Sequence, residues 1–198
     1  LEVSLEKPRT EADYKKSIVE ALVEVGRVSN TLKNVLDLAW SESPIGRPAP
    51  KNFRLDKLMI ELVDITERLA ESKKIKIVSE IAPNVPISGY RDKLAQAVLN
   101  ILENAVKYTP ADGVVTIRLE KELTRAVIGI SDTGRGIPPD DLPRIFDRFY
   151  RSSNSLDAHG SGLGLAIAKS IIALHFGEIT VKSEVGRGTT FVIVLPLD

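Results

Sequence analysis

Two asparagines and a lysine recur on one face of a helix predicted over residues 90–108. Asn100, Asn104 and Lys107 are spaced four and three residues apart, which places their side chains on one stripe. The rest of the segment is apolar, so we expect the helix to be buried and this stripe to line a cleft. Amide oxygens can complete a hydrated Mg²⁺ shell, and a lysine can neutralise phosphate. A solvated face with chance asparagines explains the same spacing.

A carboxylate and two spaced glycines follow the strand predicted over residues 126–132. Asp132 ends this strand, and Gly134 and Gly136 stand at alternate positions after it. Because glycine lets a ligand approach the backbone closely, the segment offers a fixed acceptor for an exocyclic amine such as that of adenine. An ordinary tight turn would use the same residue types.

Residues 160–165 read Gly-Ser-Gly-Leu-Gly-Leu and precede an apolar-faced helix. Free backbone amides and the positive end of a helix dipole favour an anion at such a place. A dinucleotide-binding turn would need a strand directly before the glycines, and residues 151–159 are polar and irregular. No Gly-Lys-Ser/Thr sequence follows, so a Walker-type phosphate loop is also excluded.

The composition removes several other classes of function. The chain has 198 residues, 27 basic and 27 acidic residues, two histidines and no cysteine. The lack of cysteine excludes a disulfide framework, a thiolate nucleophile and a Cys-ligated zinc site. Zero net charge provides no global attraction to nucleic acid or to an anionic membrane, so we expect no nucleic-acid partner. The 43% hydrophobic content fits a globular core.

Helix and strand patterns alternate after residue 53. Helices are predicted over residues 56–72, 90–108 and 162–175, and strands over 75–81, 114–122, 126–132, 178–183 and 189–195. Several successive strands read as antiparallel. This favours an α/β sandwich, in which helices cover one face of a mixed sheet, over a doubly wound parallel sheet.

The first 43 residues predict a long helix of a different kind. Thr10 and Asp13 have the spacing of an N-terminal capping box, and apolar residues recur at heptad positions up to a stop before Pro44. Such a broad apolar face calls for partner helices, although packing on its own domain is the alternative. Residues 44–52 contain three prolines and predict a linker.

Taken in order, the motifs resemble the N, G1, F, G2 and G3 boxes of sensor histidine kinases. The matching segments are Asn100…Asn104-x-x-Lys107-Tyr108, Asp132-x-Gly134-x-Gly136, Phe146-x-x-Phe149, Gly160-x-Gly162-x-Gly164 and Gly186-x-Gly188-Thr189-x-Phe191. The resemblance implies a Bergerat-type ATP-binding α/β sandwich over residues 53–198. It also implies that residues 1–43 are part of a dimerisation and phosphotransfer region, mainly its second helix.

The resemblance assigns roles to the polar stripe and to the carboxylate. Asn104, helped by Asn100, would hold Mg²⁺ on the triphosphate of ATP. Lys107 would meet phosphate, and Tyr108 would pack near the nucleotide. Asp132 would bind the adenine amino group.

The remaining nucleotide contacts implied by the resemblance are Gly134, Gly136, Ile137, Phe149, Gly160, Gly162, Leu163, Gly164 and Thr189. Gly134 and Gly136 would let the base approach. Residues 151–160 would form an ATP lid that becomes ordered when ATP and Mg²⁺ bind. Either Arg148 or Arg151 would be its cation for the γ-phosphate. The F-box aromatics would anchor the lid, and a core role explains them equally.

One position separates this chain from its hydrolytic relatives. Gyrase and MutL ATPases carry a water-activating Glu four residues before the metal-binding Asn, where this chain has Asn100. An amide cannot act as a general base, and Glu103 lies about 100° round the helix from Asn104. The site therefore suits phosphoryl transfer, which depends mostly on positioning and electrostatics, better than hydrolysis.

The phosphoacceptor of the family has no counterpart in the chain. His159 falls in the predicted lid, and His175 ends a predicted helix, where a cation would be favourable. We therefore expect the acceptor histidine to lie upstream of Leu1 and this chain not to phosphorylate itself.

The sequence thus predicts the ATP-binding catalytic portion of a two-component sensor histidine kinase. The full-length protein would be a homodimer through its helical region and linked to a membrane upstream, and this chain would be the cytoplasmic part of that membrane-bound sensor. The full-length protein would pass phosphate to a histidine and then to an aspartate of a response-regulator receiver domain. A serine-directed anti-sigma kinase and a nucleotide-sensing scaffold of the same fold are the alternatives.

Overall fold

The computed structural model describes residues 10–42, 47–151 and 161–197. The elements are helices α1 (Glu11–Glu42), α2 (Leu55–Glu71), α3 (Arg91–Tyr108) and α4 (Gly164–Leu174), a 3-10 turn (Leu142–Arg144), and strands β1 (Lys51–Arg54), β2 (Lys76–Ile81), β3 (Pro86–Gly89), β4 (Val114–Lys121), β5 (Arg125–Asp132), β6 (Glu178–Glu184) and β7 (Gly188–Pro196). Pro44, His159, Gly160 and all of the predicted lid except Arg151 lie outside the described residues.

A five-stranded mixed sheet forms the centre of the fold. Its strand order is β2-β4-β5-β7-β6, with β2 parallel to β4 and every other pair antiparallel. Alternate residues of β5 and β7 are buried, and helices α2, α3 and α4 pack on the sheet or on one another. The predicted α/β sandwich is confirmed.

Helix α3 carries the centre of the apolar layer. Its side chains Leu94, Val98, Ile101 and Leu102 have no exposed surface. These residues lie on one side of the helix, and the polar stripe of Asn100, Asn104 and Lys107 lies on the opposite side, away from the core. The element therefore matches the helix predicted over residues 90–108 to within one residue.

Two short strands were missed by the sequence analysis. Strand β1 pairs antiparallel with β3, and Lys51 and Asn52, which composition placed in the linker, lie opposite Gly89 and Ser88. Each strand has four residues, too few to show the alternating pattern of a half-buried strand. The linker prediction was therefore two residues too long.

The predicted start of the last helix was also wrong. Gly162 has a φ of +69°, which is left-handed, so the helix cannot include it and begins at Gly164. A side chain at Gly162 would also place its Cβ 2.8 Å from the carbonyl carbon of Phe149. The glycine therefore closes a turn before α4.

Helix α1 begins as predicted. The Thr10 hydroxyl accepts the backbone N–H of Asp13 at 3.2 Å, and the Asp13 carboxylate accepts the backbone N–H of Thr10 at 3.1 Å. Most apolar side chains of α1 are exposed, including Leu22 at 66% and Leu32 at 60%. Helix α1 contacts α4, and in its C-terminal half Asn34 binds Ser161 and Asp37 binds Lys93 of α3, so the alternative of packing on its own domain applies to that half.

Among the described helices, none combines the length and the apolar character that a membrane span requires.

Candidate functional site

A cleft of about 990 Å³ lies beside the polar stripe of α3, the turn after β5 and the start of α4. The predicted site residues that line it are Asn100, Asn104, Lys107, Tyr108, Asp132, Gly136, Ile137, Arg151, Gly162, Gly164 and Thr189. The structure thus brings together residues from four separate motifs. A volume near the upper end of the usual range for ligand pockets accommodates a nucleotide-sized molecule.

Four of the predicted site residues that the structure describes do not line the cleft. Leu163 is fully buried in the core. Phe149 is 64% exposed, which excludes the alternative of a core role for this residue, and Arg148 is exposed outside the cleft. Gly134 packs closely against the Asp132 carboxylate and the Tyr108 carbonyl oxygen. Phe146, in contrast, packs against the core with its ring edge-on to Phe191.

Asp132 provides a buried carboxylate at the end of β5. The residue is 9% exposed, and its Oδ1 accepts the backbone N–H of Gly134 at 2.8 Å. Burial raises the pKa of this carboxyl above its ordinary value, while backbone hydrogen bonds from Gly134 and Thr189 oppose the shift. A partly desolvated carboxylate of this kind gains much from an N–H donor of a ligand.

The glycines beside Asp132 are required by the protein's own backbone. A Cβ on Gly134 would lie 2.6 Å from the Tyr108 carbonyl oxygen, and one on Gly136 would lie 2.1 Å from the Glu184 carbonyl oxygen. Gly136 also has a φ of +72°. We expected these glycines to admit a ligand, but close packing of the chain on itself already explains both.

The Asn100 amide of the polar stripe points at the start of α4. Asn100 donates its Nδ2 to the Gly164 carbonyl oxygen at 3.0 Å, which leaves its Oδ1 as the acceptor. Asn104, one turn later, also lines the cleft. Among the described residues no three His, Cys, Asp or Glu side chains form a metal-binding group. A hard cation here would therefore depend on amide oxygens and on oxygens of the ligand.

Two cations lie on one aromatic ring at the cleft. The Lys107 Nζ is 5.0 Å and the Arg135 Cζ is 4.5 Å from the centre of the Tyr108 ring. Both distances are within cation–π range. Arg135 was not among the predicted site residues, although it stands between the two glycines of the Asp132 motif and is the one cation there.

Three further polar side chains of the cleft were not predicted as contacts. Glu103 lines it, and desolvation raises the pKa of its carboxyl. Tyr150 donates its hydroxyl to Asp141 Oδ1 at 2.7 Å, and this bond raises the pKa of Tyr150. All three residue types are common on surfaces, so their spacing gave no signal.

Helix α1 supplies part of the cleft wall. Thr31, Lys33 and Asn34 line it, and the Asn34 Nδ2 donates to the Ser161 hydroxyl at 3.2 Å. These residues lie outside every motif of the sequence analysis. Only the docking of α1 brings them to the site, so no local signal could have found them.

His175 is a structural residue and is neutral, which corrects the cation expected at the end of α4. Its Nε2 accepts the backbone N–H of Tyr90 at 2.9 Å, so its Nδ1 carries the proton and donates to the Ile171 carbonyl oxygen at 2.8 Å. Burial lowers its pKa. With both nitrogens engaged, it is not available as a phosphoacceptor.

A second depression, of about 820 Å³, surrounds the tip of the β4–β5 hairpin. It is lined by residues 121–125 alone. One surface turn brings no groups from different elements together, so this depression has no features of a ligand site.

Comparison with known proteins places the cleft in a family. Residues 89–198 match the family described as histidine kinase-, DNA gyrase B- and HSP90-like ATPases. The sensor histidine kinase CusS of Escherichia coli K12 is 32% identical over 197 residues, covering 98% of this chain and 41% of that protein. The phosphate regulon sensor protein PhoR of Pseudomonas aeruginosa is 35% identical over 170 residues, covering 85% of this chain and 38% of that protein.

Solved structures of histidine kinases are also similar to this chain. The mycobacterial sensor histidine kinase MprB is 34% identical with a TM-score of 0.65, over 74% of this chain and 98% of that one. Full-length ShkA in complex with AMPPNP is 28% identical with a TM-score of 0.78, over 96% of this chain and 40% of that one. The chain spans about two fifths of the length of the two curated relatives named above. It belongs to the family of histidine kinase-, DNA gyrase B- and HSP90-like ATPases, as the ATP-binding catalytic portion of a sensor histidine kinase.

Proposed function

We propose that the cleft binds ATP with its base against Asp132 and its phosphates between α3 and the start of α4. The observation that carries this proposal is the meeting of a buried carboxylate with the Asn104 and Lys107 stripe in one cleft. A carboxylate suits the amino group of adenine, and amides with a lysine suit a metal-bound triphosphate. The two ends of the cleft therefore match the two ends of ATP.

The base end is selective because Asp132 is a pure acceptor when ionised. An adenine amino group would donate to it, whereas a carbonyl oxygen at the same place would face a carboxylate. Ile137 and Thr189 line the same cleft and would contact the base. Gly136 has no side chain, so its backbone would contact the base directly.

The phosphate end combines several weak anion-binding features. The first turn of α4 has unpaired N–H groups and the positive end of the helix dipole. Lys107 adds a cation, and of the two candidate arginines only Arg151 lines the cleft, so we assign Arg151 to the γ-phosphate. Asn104 and Asn100 would hold Mg²⁺ through their amide oxygens, and the ion would offset the charge of the phosphates.

The geometry favours transfer over hydrolysis. Asn100 occupies the place of the hydrolytic Glu and is tied to Gly164 through its Nδ2. Its remaining oxygen cannot take a proton from water at neutral pH. A site without a general base can hold ATP until an acceptor arrives.

For the full-length protein we propose transfer of the γ-phosphoryl group to a histidine outside this chain and then to a response-regulator aspartate. Residues 1–43 would belong to the dimerisation and phosphotransfer region of a homodimer, and residues 53–198 would be the ATP-binding domain. The assembled protein would be linked to a membrane through other segments. The relatives' status as sensor kinases supports this assignment.

Substitution of Asp132 tests the base end. We expect Asp132→Asn to weaken binding of both adenosine and ATP by roughly ten- to a hundredfold, since a hydrogen bond to a charged group is lost. Titration calorimetry measures both, with Asp64→Asn, an exposed aspartate of α2, as the matched control. Unchanged affinity for adenosine would show that the base lies elsewhere.

The pH dependence of stability provides a second test of Asp132→Asn. Burial raises the pKa of Asp132, so the folded state holds this proton more tightly than the unfolded state. The contribution of the wild-type carboxyl to stability therefore falls as pH rises through the carboxyl range. As the pH rises through this range, the free energy of unfolding of Asp132→Asn should increase relative to that of wild type. Chemical unfolding at several pH values measures this difference.

Substitution of Asn104 tests the metal end. Asn104→Asp should weaken productive binding of ATP in the presence of Mg²⁺, because the amide geometry and charge that suit the metal-bound triphosphate are changed. Adenosine, which has no phosphates, should bind as before. Equal effects on ATP and adenosine would contradict the assigned orientation.

Phosphotransfer separates the proposal from its alternatives. Incubation with γ-labelled ATP should leave this chain unlabelled, and a histidine-bearing dimerisation helix supplied in trans should acquire acid-labile phosphate. Acid-stable phosphoserine on a protein substrate would favour the anti-sigma type of kinase. ATP binding without any transfer to the supplied helix would favour a nucleotide-sensing scaffold.

A further inference from the structure

The wall that α1 contributes to the cleft contains a cation. Lys33 lines the cleft from α1, outside the family match over residues 89–198. It forms no ion pair with another residue that the structure describes. The other lysine of the cleft, Lys107, lies against the Tyr108 ring. Lys33 is therefore an ammonium group in the cleft wall whose charge is not offset by a neighbouring described carboxylate.

A buried carboxylate fixes the part of α1 that carries Lys33. Asp37 is 7% exposed, and its Oδ1 lies 2.6 Å from the Lys93 Nζ of α3. Its Oδ2 accepts a hydrogen bond from Gln96. We call Asp37, Lys93 and Gln96 the α1 latch. Removing one partner of a buried ion pair is costly, so the latch defines one position of α1 on α3.

Aromatic packing and a polar contact support the latch on either side. The Trp40 ring meets the Tyr90 ring edge-on at 5.1 Å, and the Lys93 Nζ lies 4.8 Å from the centre of the Trp40 ring. On the other side Asn34 donates to Ser161, directly before Gly162. The helix is thus held at both α3 and the turn that opens α4.

The spacing on α1 links the latch to the cation. Lys33 stands four residues before Asp37, so both side chains lie on the same face of the helix, one turn apart. When Asp37 is seated between Lys93 and Gln96, Lys33 is placed at the cleft. Helix α1 therefore has a fixed register relative to the site.

We propose that Lys33 is a nucleotide-binding residue: its ammonium group contacts the phosphate chain of ATP, and the α1 latch holds it there. This inference rests on the proposed function, since it requires phosphates in the cleft. It assigns to a helix outside the ATP-binding domain a direct part in holding the nucleotide. Asp37 is then a positioning residue, which acts through Lys33.

The experiment compares ATP with adenosine on the full 198-residue chain. In the presence of Mg²⁺, Lys33→Met should weaken ATP binding roughly three- to tenfold, the range for a partly solvated charge pair. Adenosine affinity should not change, and Lys33→Arg should stay within about twofold of wild type for ATP. Lys16→Met, an exposed lysine of the same helix, is the matched control.

A double-mutant cycle tests the latch. Asp37→Ala should weaken ATP binding about as much as Lys33→Met, and the double variant should be no weaker than either single one, because both changes remove the same contact. Gln96→Leu, which leaves the Asp37–Lys93 pair, provides a milder second variant if Asp37→Ala does not fold. Additive losses would show that Asp37 does not act through Lys33.

Two results would overturn the proposal. Lys33→Met could bind ATP as tightly as Lys16→Met, or opening of the latch could tighten ATP binding, which would mean that α1 obstructs the cleft. The proposed function fails separately, by unchanged adenosine binding in Asp132→Asn. If Asp132→Asn loses adenosine binding but Lys33→Met leaves ATP binding unchanged, only the inference about α1 is rejected.

Discussion

Helices α1 and α3 both carry a face of apolar side chains, which is buried in α3 and mostly exposed in α1. In α3, Leu94, Ile101 and Leu102 have no exposed surface, whereas in α1 Ile18 and Leu22 are 55% and 66% exposed. The difference lies in what surrounds each helix. Helix α3 packs against α2, α4 and the sheet. The polar contacts that dock α1 involve Asn34 and Asp37, which lie in its C-terminal half. An apolar stripe therefore predicts that a face will be covered but not what covers it.

The two helices also begin differently. Helix α1 is capped by its own side chains, Thr10 and Asp13. Helix α3 has no side-chain cap at Tyr90, whose backbone N–H instead donates to His175, the residue directly after α4. The first helix is thus organised locally, and the second depends on tertiary contacts at its N-terminus as well as on its face.

The largest expected effect is on the α3 face. Leu102→Ala should lower the free energy of unfolding by about 2–5 kcal/mol, because it leaves a cavity in a closely packed layer. Leu22→Ala on α1 should change it by less than about 0.5 kcal/mol, since the side chain is already in solvent. Urea unfolding at low protein concentration measures both.

Protein concentration sharpens this test. If the α1 face pairs with another copy of the chain, the cost of Leu22→Ala should grow with concentration while that of Leu102→Ala stays constant. A large cost for Leu22→Ala at the lowest concentration would contradict the contrast between the helices.

The next effect concerns the tertiary cap of α3. His175→Ala should cost about 2–3 kcal/mol, because it leaves the buried N–H of Tyr90 and a cavity beside Gly89 unfilled. Thermal or urea unfolding at pH 7 measures this loss. A variant as stable as wild type would mean that α3 does not depend on this cap.

The pH dependence gives a second readout for His175. Burial lowers its pKa, so the unfolded state takes up the proton first as the pH falls below about 6.5. The stability due to neutral His175 is complete above that value and is lost on acidification. Wild type should therefore lose more stability between pH 7 and 5 than His175→Ala does.

The sequence predicted the parts of the fold that have long, regular patterns. Helix α3 and the β6–β7 hairpin follow from local periodicity and glycine placement, and they were predicted within about two residues. Strand β1 was missed because it pairs with residues almost forty positions away, as in Lys51 opposite Gly89. Four residues carry no period of their own, so only tertiary structure reveals such strands.

The residues of the site also divide into those that local spacing predicts and those that only tertiary contacts bring to the cleft. Asn104 and Asp132, which line the cleft, were predicted from local spacing that placed them on a helix stripe and at a strand end. Lys33 also lines the cleft but was not predicted, because the helical period of α1 indicates only that it is polar and faces outward. Its position at the cleft depends on Asp37, which pairs with Lys93. The two partners are far apart in the sequence, so local patterns cannot reveal the contact.

The smallest expected effect is at the local cap of α1. Thr10→Ala removes the hydroxyl that accepts the Asp13 N–H and should destabilise the first turn by about 1 kcal/mol. Hydrogen exchange should quicken for the amides of that turn and stay unchanged in α3, because the cap serves only its own helix. Thr10→Ser keeps the acceptor and should exchange as wild type, whereas Ser29→Ala, on the exposed middle of α1, controls for loss of a hydroxyl. Faster exchange in α3 after Thr10→Ala would mean that the two helices are coupled through the latch along their whole length, and the contrast between local and tertiary organisation would not hold.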